Sequence, residues 1–135
     1  DQIFRHVSYS GPYIQLVEEM TLREHIRFHR QFKPFRQNLQ ENDILALTQL
    51  GHHADRQVRN FSSGMKQRVK LALSILSDAA ILLLDEPATN LDDTGLHWYL
   101  DLLAQHRTGR LVIVSSNRPE EYSFCDEQLN ILDYK

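Results

Sequence analysis

Residues 81–92 read ILLLDEPATNLD. With Ala80 ahead of it, the run from Ala80 to Leu84 is wholly apolar. That is the pattern of a strand covered on both faces of a parallel sheet. It ends at Asp85 and Glu86, and Pro87 then breaks it. Side chains at the carboxyl end of such a strand project into the crevice where α/β proteins bind ligands. A carboxylate there is partly desolvated, so it needs a cation or hydrogen-bond donors to stay ionised. Asp85 suits Mg²⁺, a hard ion that takes oxygen ligands and keeps several waters. Glu86 suits the orientation or deprotonation of an attacking water. The plainer reading is a turn opened by two acids, and these residues alone do not separate the two.

Upstream lies SSGMKQRVKLALSILSD, from Ser62 to Asp78. Val69, Ala72, Leu73 and Leu76 recur at helical spacing. Ser62, Ser63 and Gly64 open that helix. A helix N-terminus presents unpaired N–H groups and the positive end of the dipole, and a glycine lets a phosphate approach closely. An ordinary serine N-cap explains the same residues. Downstream, a helix is expected from about 94 to 106. Buried strands are expected at 111–115 (LVIVS) and 128–133 (QLNILD), with a short helix between them. Strand, helix, strand in this order is the pattern of right-handed parallel crossovers.

The amino-terminal half reads differently. Residues 3–9 (IFRHVSY) form a strand pattern, broken by Ser10-Gly11-Pro12. Thr21 and Glu24 are spaced as a capping box for a helix carrying Leu22 and Ile26, which Pro34 stops or bends. A second helix is expected over 41–50, with Gly51 as its C-cap. HHADRQVRN reads as a loop.

Taken together, FSSGMKQRVKLALSILSDAAILLLDEPATNLDD resembles the signature-to-D-loop segment of an ATP-binding cassette (ABC) ATPase. Phe61 to Met65 resembles the signature motif. Leu82 to Glu86 matches the Walker B strand and catalytic glutamate, and Asn90-Leu91-Asp92 matches the D-loop. MTLREHIRF resembles the start of the family's helical subdomain, and LVIVSSN the strand leading into its H-loop. The fold implied is a partial P-loop-type α/β cassette. Residues 1–12 would be a core strand and Q-loop-like break, 13–77 a helical subdomain with the signature helix, and 78–135 the α/β core portion. The resemblance implies that Ser62, Ser63, Gly64 and Met65 would meet the γ-phosphate of an ATP held mainly by a second cassette. It implies Mg²⁺ held through water at Asp85, a hydrolytic water polarised by Glu86, and communication across the dimer by Asp92. It also implies a transmembrane transporter subunit as partner, docked near residues 13–35, and a place on the inner face of the membrane.

Three departures stand out. No G-x-x-x-x-G-K-[ST] motif occurs: none of the five glycines is followed by lysine. The chain is therefore expected to be the carboxyl-terminal part of a cassette and to be inactive alone. Asn117 stands where histidine is usual; it can hydrogen-bond a γ-phosphate but cannot become cationic. Family spacing places Pro12 where the Q-loop glutamine is expected; Gln15 is the nearest glutamine, and no role is assigned to it.

A net charge of −3 gives no basic field for nucleic acid. One cysteine, Cys125, excludes an internal disulfide framework; it is expected to pack rather than react. His25 and His29 share a helical spacing but lack HExxH and a third acidic ligand. Trp98 and Tyr99 are expected to be buried. A non-transport ABC ATPase and a non-catalytic interaction module are the alternatives. The first usually brings coiled-coil or basic insertions, which are absent; the second has no need of Asp85-Glu86.

Overall fold

The computed structural model describes residues 2–134. Three short strands form one parallel sheet: β1 (Val7–Ser10), β2 (Ile81–Asp85) and β3 (Leu111–Ser115), in that spatial order. Between β1 and β2 run three helices: α1 (Leu22–Phe32), α2 (Glu41–Thr48) and α3 (Ser63–Ile75). Helix α4 (Asp93–His106) links β2 to β3, and a short α5 (Pro119–Tyr122) follows. The helical first half and α/β second half agree with the sequence.

Several boundaries follow from named side chains. Thr21 caps α1 by accepting the Glu24 N–H at 3.1 Å. Lys33 ends that helix, and Pro34 prevents its continuation. Helix α2 stops two residues earlier than expected. The Thr48 hydroxyl donates to the Leu45 carbonyl and accepts the Leu50 N–H, drawing the last turn away from the helix. The C-cap is left-handed Gln49, φ 58°, not Gly51, which begins a 3₁₀ turn. The polar 52–60 segment holds short 3₁₀ turns, and its backbone pairs with residues 18–21.

One core joins the two halves. It includes Leu22, Ile26, Ile44, Val58, Val69, Leu71, Leu82, Leu84 and Tyr99. Ser8 donates to the Ser74 carbonyl at 2.8 Å, fastening β1 to α3. Trp98 and Tyr99 are buried as expected; Trp98 Nε1 donates to the Leu47 carbonyl, tying α4 to α2. Arg110 donates to the carbonyls of Ser77 and Ala79, at 3.0 and 3.1 Å, and also to those of Ile75 and His106. It therefore satisfies backbone groups at the ends of α3 and α4 that no helical partner can reach.

Three expectations need correction. Strands β2 and β3 are covered on one face only. In the shared register, Ser8, Leu82 and Val112 face the helices, as do Ser10, Leu84 and Val114. The opposite face carries Tyr9, Leu83, Leu111 and Ile113, and Leu111 and Ile113 stay exposed. Among the described residues no second layer covers it. Gln128 to Asp133 is not a strand: residues 131–134 form a 3₁₀ turn, with Leu129, Ile131 and Leu132 exposed. A strand there would need a hydrogen-bonding neighbour, and the described sheet gives it none. The first strand is also shorter than 3–9, since residues 3–5 form a 3₁₀ turn.

Candidate functional site

The start of α3 is built from small polar residues. Ser62 is its N-cap, with Oγ accepting the Met65 N–H at 3.2 Å. The serine-cap reading therefore holds for Ser62, and both Ser62 and Ser63 stay exposed. Gly64 faces the turn after β2. A Cβ on it would lie 3.0 Å from the Asn90 carbonyl oxygen, so a side chain at residue 64 would press on that backbone. Met65 is half-buried and packs against the core. Buried Gln67 donates to the Pro87 carbonyl at 2.8 Å. The first two turns of α3 therefore support the turn that follows Asp85-Glu86.

Asp85 is the last residue of β2 and pairs in register with Ser115. Strand alternation places it on the same face as Leu83 and Tyr9. Burial first, then the Asp85 carboxylate, push the Tyr9 phenol pKa up. The Tyr9 ring lies across Gly11: a Cβ there would stand 2.0 Å from the phenol oxygen. A side chain at residue 11 would have to displace the half-exposed Tyr9 ring.

Glu86 leaves the sheet. It is exposed and left-handed, with φ 47°, and its N–H donates to the Ser115 carbonyl at 2.8 Å. A non-glycine residue in that conformation costs on the order of 1 kcal/mol, so its surroundings must hold it. Ala88 N–H donates to Glu121 Oε1 at 2.9 Å, and Thr89 N–H to the Glu86 carbonyl at 3.2 Å. Asn90 is left-handed as well, φ 66°. Asp92 caps α4, with Oδ1 accepting the Gly95 N–H at 2.7 Å. Asn117 lies two residues beyond β3 and is exposed; beside it, the Ser116 hydroxyl accepts the Arg118 N–H at 2.9 Å.

The structure thus sorts the sequence-selected residues into two groups. Asp85, Glu86 and Asn117 gather at the carboxyl ends of β2 and β3. Ser62 to Met65 start α3, and Ser63 and Asn90 line an open cleft of about 340 Å³. Gln15, Lys66, Gln67 and Lys70 line it too, whereas Asp85, Glu86 and Asn117 do not. Lys66 is paired with Glu18 at 2.7 Å, while burial lowers the pKa of Lys70. Gln67, Tyr9 and Glu121 were not singled out by the sequence. Gln67 had a signal, one turn beyond Ser63 on the same helix; Glu121 had none, since an acid in a helix's first turn is commonplace.

Comparison with known proteins decides the family. The ABC transporter family model matches residues 2–89. The chain belongs to the ABC transporter family. It is 28% identical over 120 residues to the human retinal-specific phospholipid-transporting ATPase ABCA4, covering 87% of this chain and 5% of that protein. It is 31% identical over 118 residues to the cytochrome c biogenesis ATP-binding export protein CcmA of Xylella fastidiosa (strain 9a5c), covering 85% and 53%. A solved structure of an ATP-binding subunit of an ABC transporter superposes with a TM-score of 0.72 at 25% identity, over 90% of this chain and 53% of that one. The chain therefore spans about half of that bacterial relative and a small part of the long ones.

As a member of this family the chain is part of a nucleotide-binding unit. Among the described residues no three side chains of metal-ligating type converge. Asp85 is a single half-buried carboxylate, which fits Mg²⁺ only if water and phosphate supply the other ligands. No helix among the described residues is long and apolar enough to cross a membrane.

Proposed function

We propose that this chain supplies the signature helix and the Walker B carboxylates of an ABC transporter's ATP-binding protein, whose ATP hydrolysis drives transport. The observation that carries the reading is the abutment of Gly64 on Asn90, which sets the Ser62–Met65 helix start against the turn that follows Asp85-Glu86.

In this reading Ser62, Ser63 and Gly64 offer hydroxyls and backbone N–H groups to the terminal phosphate of an ATP held by a second cassette, with Met65 packing the helix start beneath them. Bound through water at Asp85, Mg²⁺ would neutralise charge on the phosphates. Glu86, displayed by its left-handed backbone, orients the attacking water and accepts its proton. Asn117 donates a neutral hydrogen bond to the phosphate, so more of the burden falls on Glu86. Asp92 holds α4 in place through its cap and keeps the D-loop turn fixed for contact across the pair. The cleft at the α3 start is lined by Ser63 and Asn90 but not by Asp85 or Glu86, which supports two sites shared between two cassettes. The exposed Tyr13, Ile14 and Val17, with Phe28 and Phe32 on α1, suit a docking groove for a transmembrane subunit. Such a protein works at the cytoplasmic face of a membrane, with no nucleic-acid partner.

Glu86→Gln in the assembled transporter should lower ATP turnover by about 10²–10⁴-fold, the range of general acid–base contributions, while nucleotide still binds. Turnover at the native rate would remove Glu86 from the mechanism. This chain alone, lacking a P-loop, should release no phosphate above background with Mg²⁺ and ATP.

A further inference from the structure

Glu121 is 1% exposed and carries one carboxylate oxygen, Oε2, with no partner. Its other oxygen, Oε1, accepts the N–H of Ala88 at 2.9 Å. Leaving half of a buried carboxylate unpaired is costly, so the bond that remains must hold something the fold requires. Ala88 lies two residues beyond Glu86 and is itself buried. Its carbonyl oxygen is approached by Arg118 Nη1 at 3.5 Å. The Ala88 residue is thus gripped at its N–H by Glu121 and at its C=O by Arg118. Both groups come from one short element, and Arg118 is the immediate neighbour of Asn117. The Tyr99 hydroxyl also donates to the Glu121 carbonyl at 3.2 Å, a backbone contact separate from the grip on Ala88.

We propose that Glu121 is a positioning residue: it holds the Glu86–Asn90 turn through Ala88 and so couples the place of Asn117 to that of Glu86. Glu86 needs such a support because its left-handed backbone is not self-sustaining. Movement at Asn117 is then transmitted through Arg118, Glu121 and Ala88 to the carboxylate two residues earlier. The functional meaning rests on the reading of Glu86 given above; the contact itself does not.

The test is amide hydrogen exchange and NMR on the 135-residue chain without nucleotide. Glu121→Ala should cut protection of the Ala88 amide by about tenfold, as expected when a buried N–H loses its acceptor, and should shift the Glu86 amide and the Asn117 side-chain NH₂ signals. Glu121→Gln keeps an acceptor oxygen and should restore all three. Tyr99→Phe, which removes the neighbouring bond but not the Ala88 contact, should leave them native. Native protection at Ala88 in Glu121→Ala, or loss of it in Glu121→Gln, overturns the proposal. Because no ATP is present, a failed Glu86 assignment cannot imitate either result; it would appear as normal turnover in Glu86→Gln.

Discussion

The two faces of one small sheet have opposite fates. On the helical side Leu82 and Leu84 are 0% and 1% exposed. On the other side Leu111 and Ile113 remain 56% and 49% exposed. The strands are equally aliphatic, so local preference does not explain the contrast. Cover does: α3 and α4 pack one face, and nothing described packs the other. A strand's composition thus records the surroundings it is suited to, while burial records those this chain provides. The contact of Tyr9 with Asp85 belongs to the open face, so a candidate site residue sits on the side that the core does not stabilise.

The sharpest way to break the comparison is to remove a side chain from the covered face. Leu82→Ala should destabilise the fold by about 2–5 kcal/mol, through lost transfer energy and the cavity left behind. Urea denaturation with an unchanged m-value measures this. A loss no greater than that of an equal truncation on the open face would show that the helical layer is loosely packed.

Arg110 tests whether the covered side also depends on polar closure. Its guanidinium serves four carbonyls, and burial lowers its pKa to about 10. Arg110→Ala should cost about 2–3 kcal/mol, because buried carbonyls lose charge-assisted donors. Arg110→Lys should recover only part of that, since one ammonium cannot reach the same spread of acceptors. Full recovery by lysine would mean that charge alone matters there.

A further effect is expected from pH. His29 bonds the Ser77 hydroxyl at 2.7 Å and stacks on Phe35; burial, the larger cause, and then Lys33 lower its pKa to about 4. The folded value lies below the unfolded one of 6.5, so the unfolded chain binds more protons between the two. The stabilising contribution is therefore complete above pH 6.5 and is lost progressively as pH falls towards 4. His29→Gln keeps a donor for Ser77 and removes the titration, so its stability curve should be flatter over that window. Curves of identical slope would show that His29 is not the group responsible.

The sequence announced what depends on short-range pattern. Ser62 as a cap, the α3 period, the tip of β2 and the pairing of Thr21 with Glu24 are each decided within a few residues. It was silent where the partner is distant in the chain. Gln67 on Pro87, Gly64 on Asn90 and Glu121 on Ala88 join residues between 20 and 33 positions apart. No periodicity carries such contacts. The strand expected at 128–133 illustrates the reverse case: an aliphatic pattern suited to a sheet position, met by no neighbour in the described structure.

The smallest change in stability should come from the open face itself. Ile113→Thr keeps a β-branched side chain and removes apolar surface that the fold already leaves in water, so the unfolding free energy should change by no more than about 0.5 kcal/mol. Association should respond instead. The apolar stripe of Leu83, Leu111 and Ile113, with β3 as an unpaired edge, is a surface that two copies would cover by stacking or edge pairing. The native chain should therefore self-associate at high concentration in light scattering, and Ile113→Lys should shift it towards monomer with little change in urea midpoint. A native chain that stays monomeric throughout would mean the exposed stripe is too small or too interrupted to drive contact. The contrast between the faces would then be one of packing alone. A fall in stability as large as that of Leu82→Ala would show that the face is covered after all.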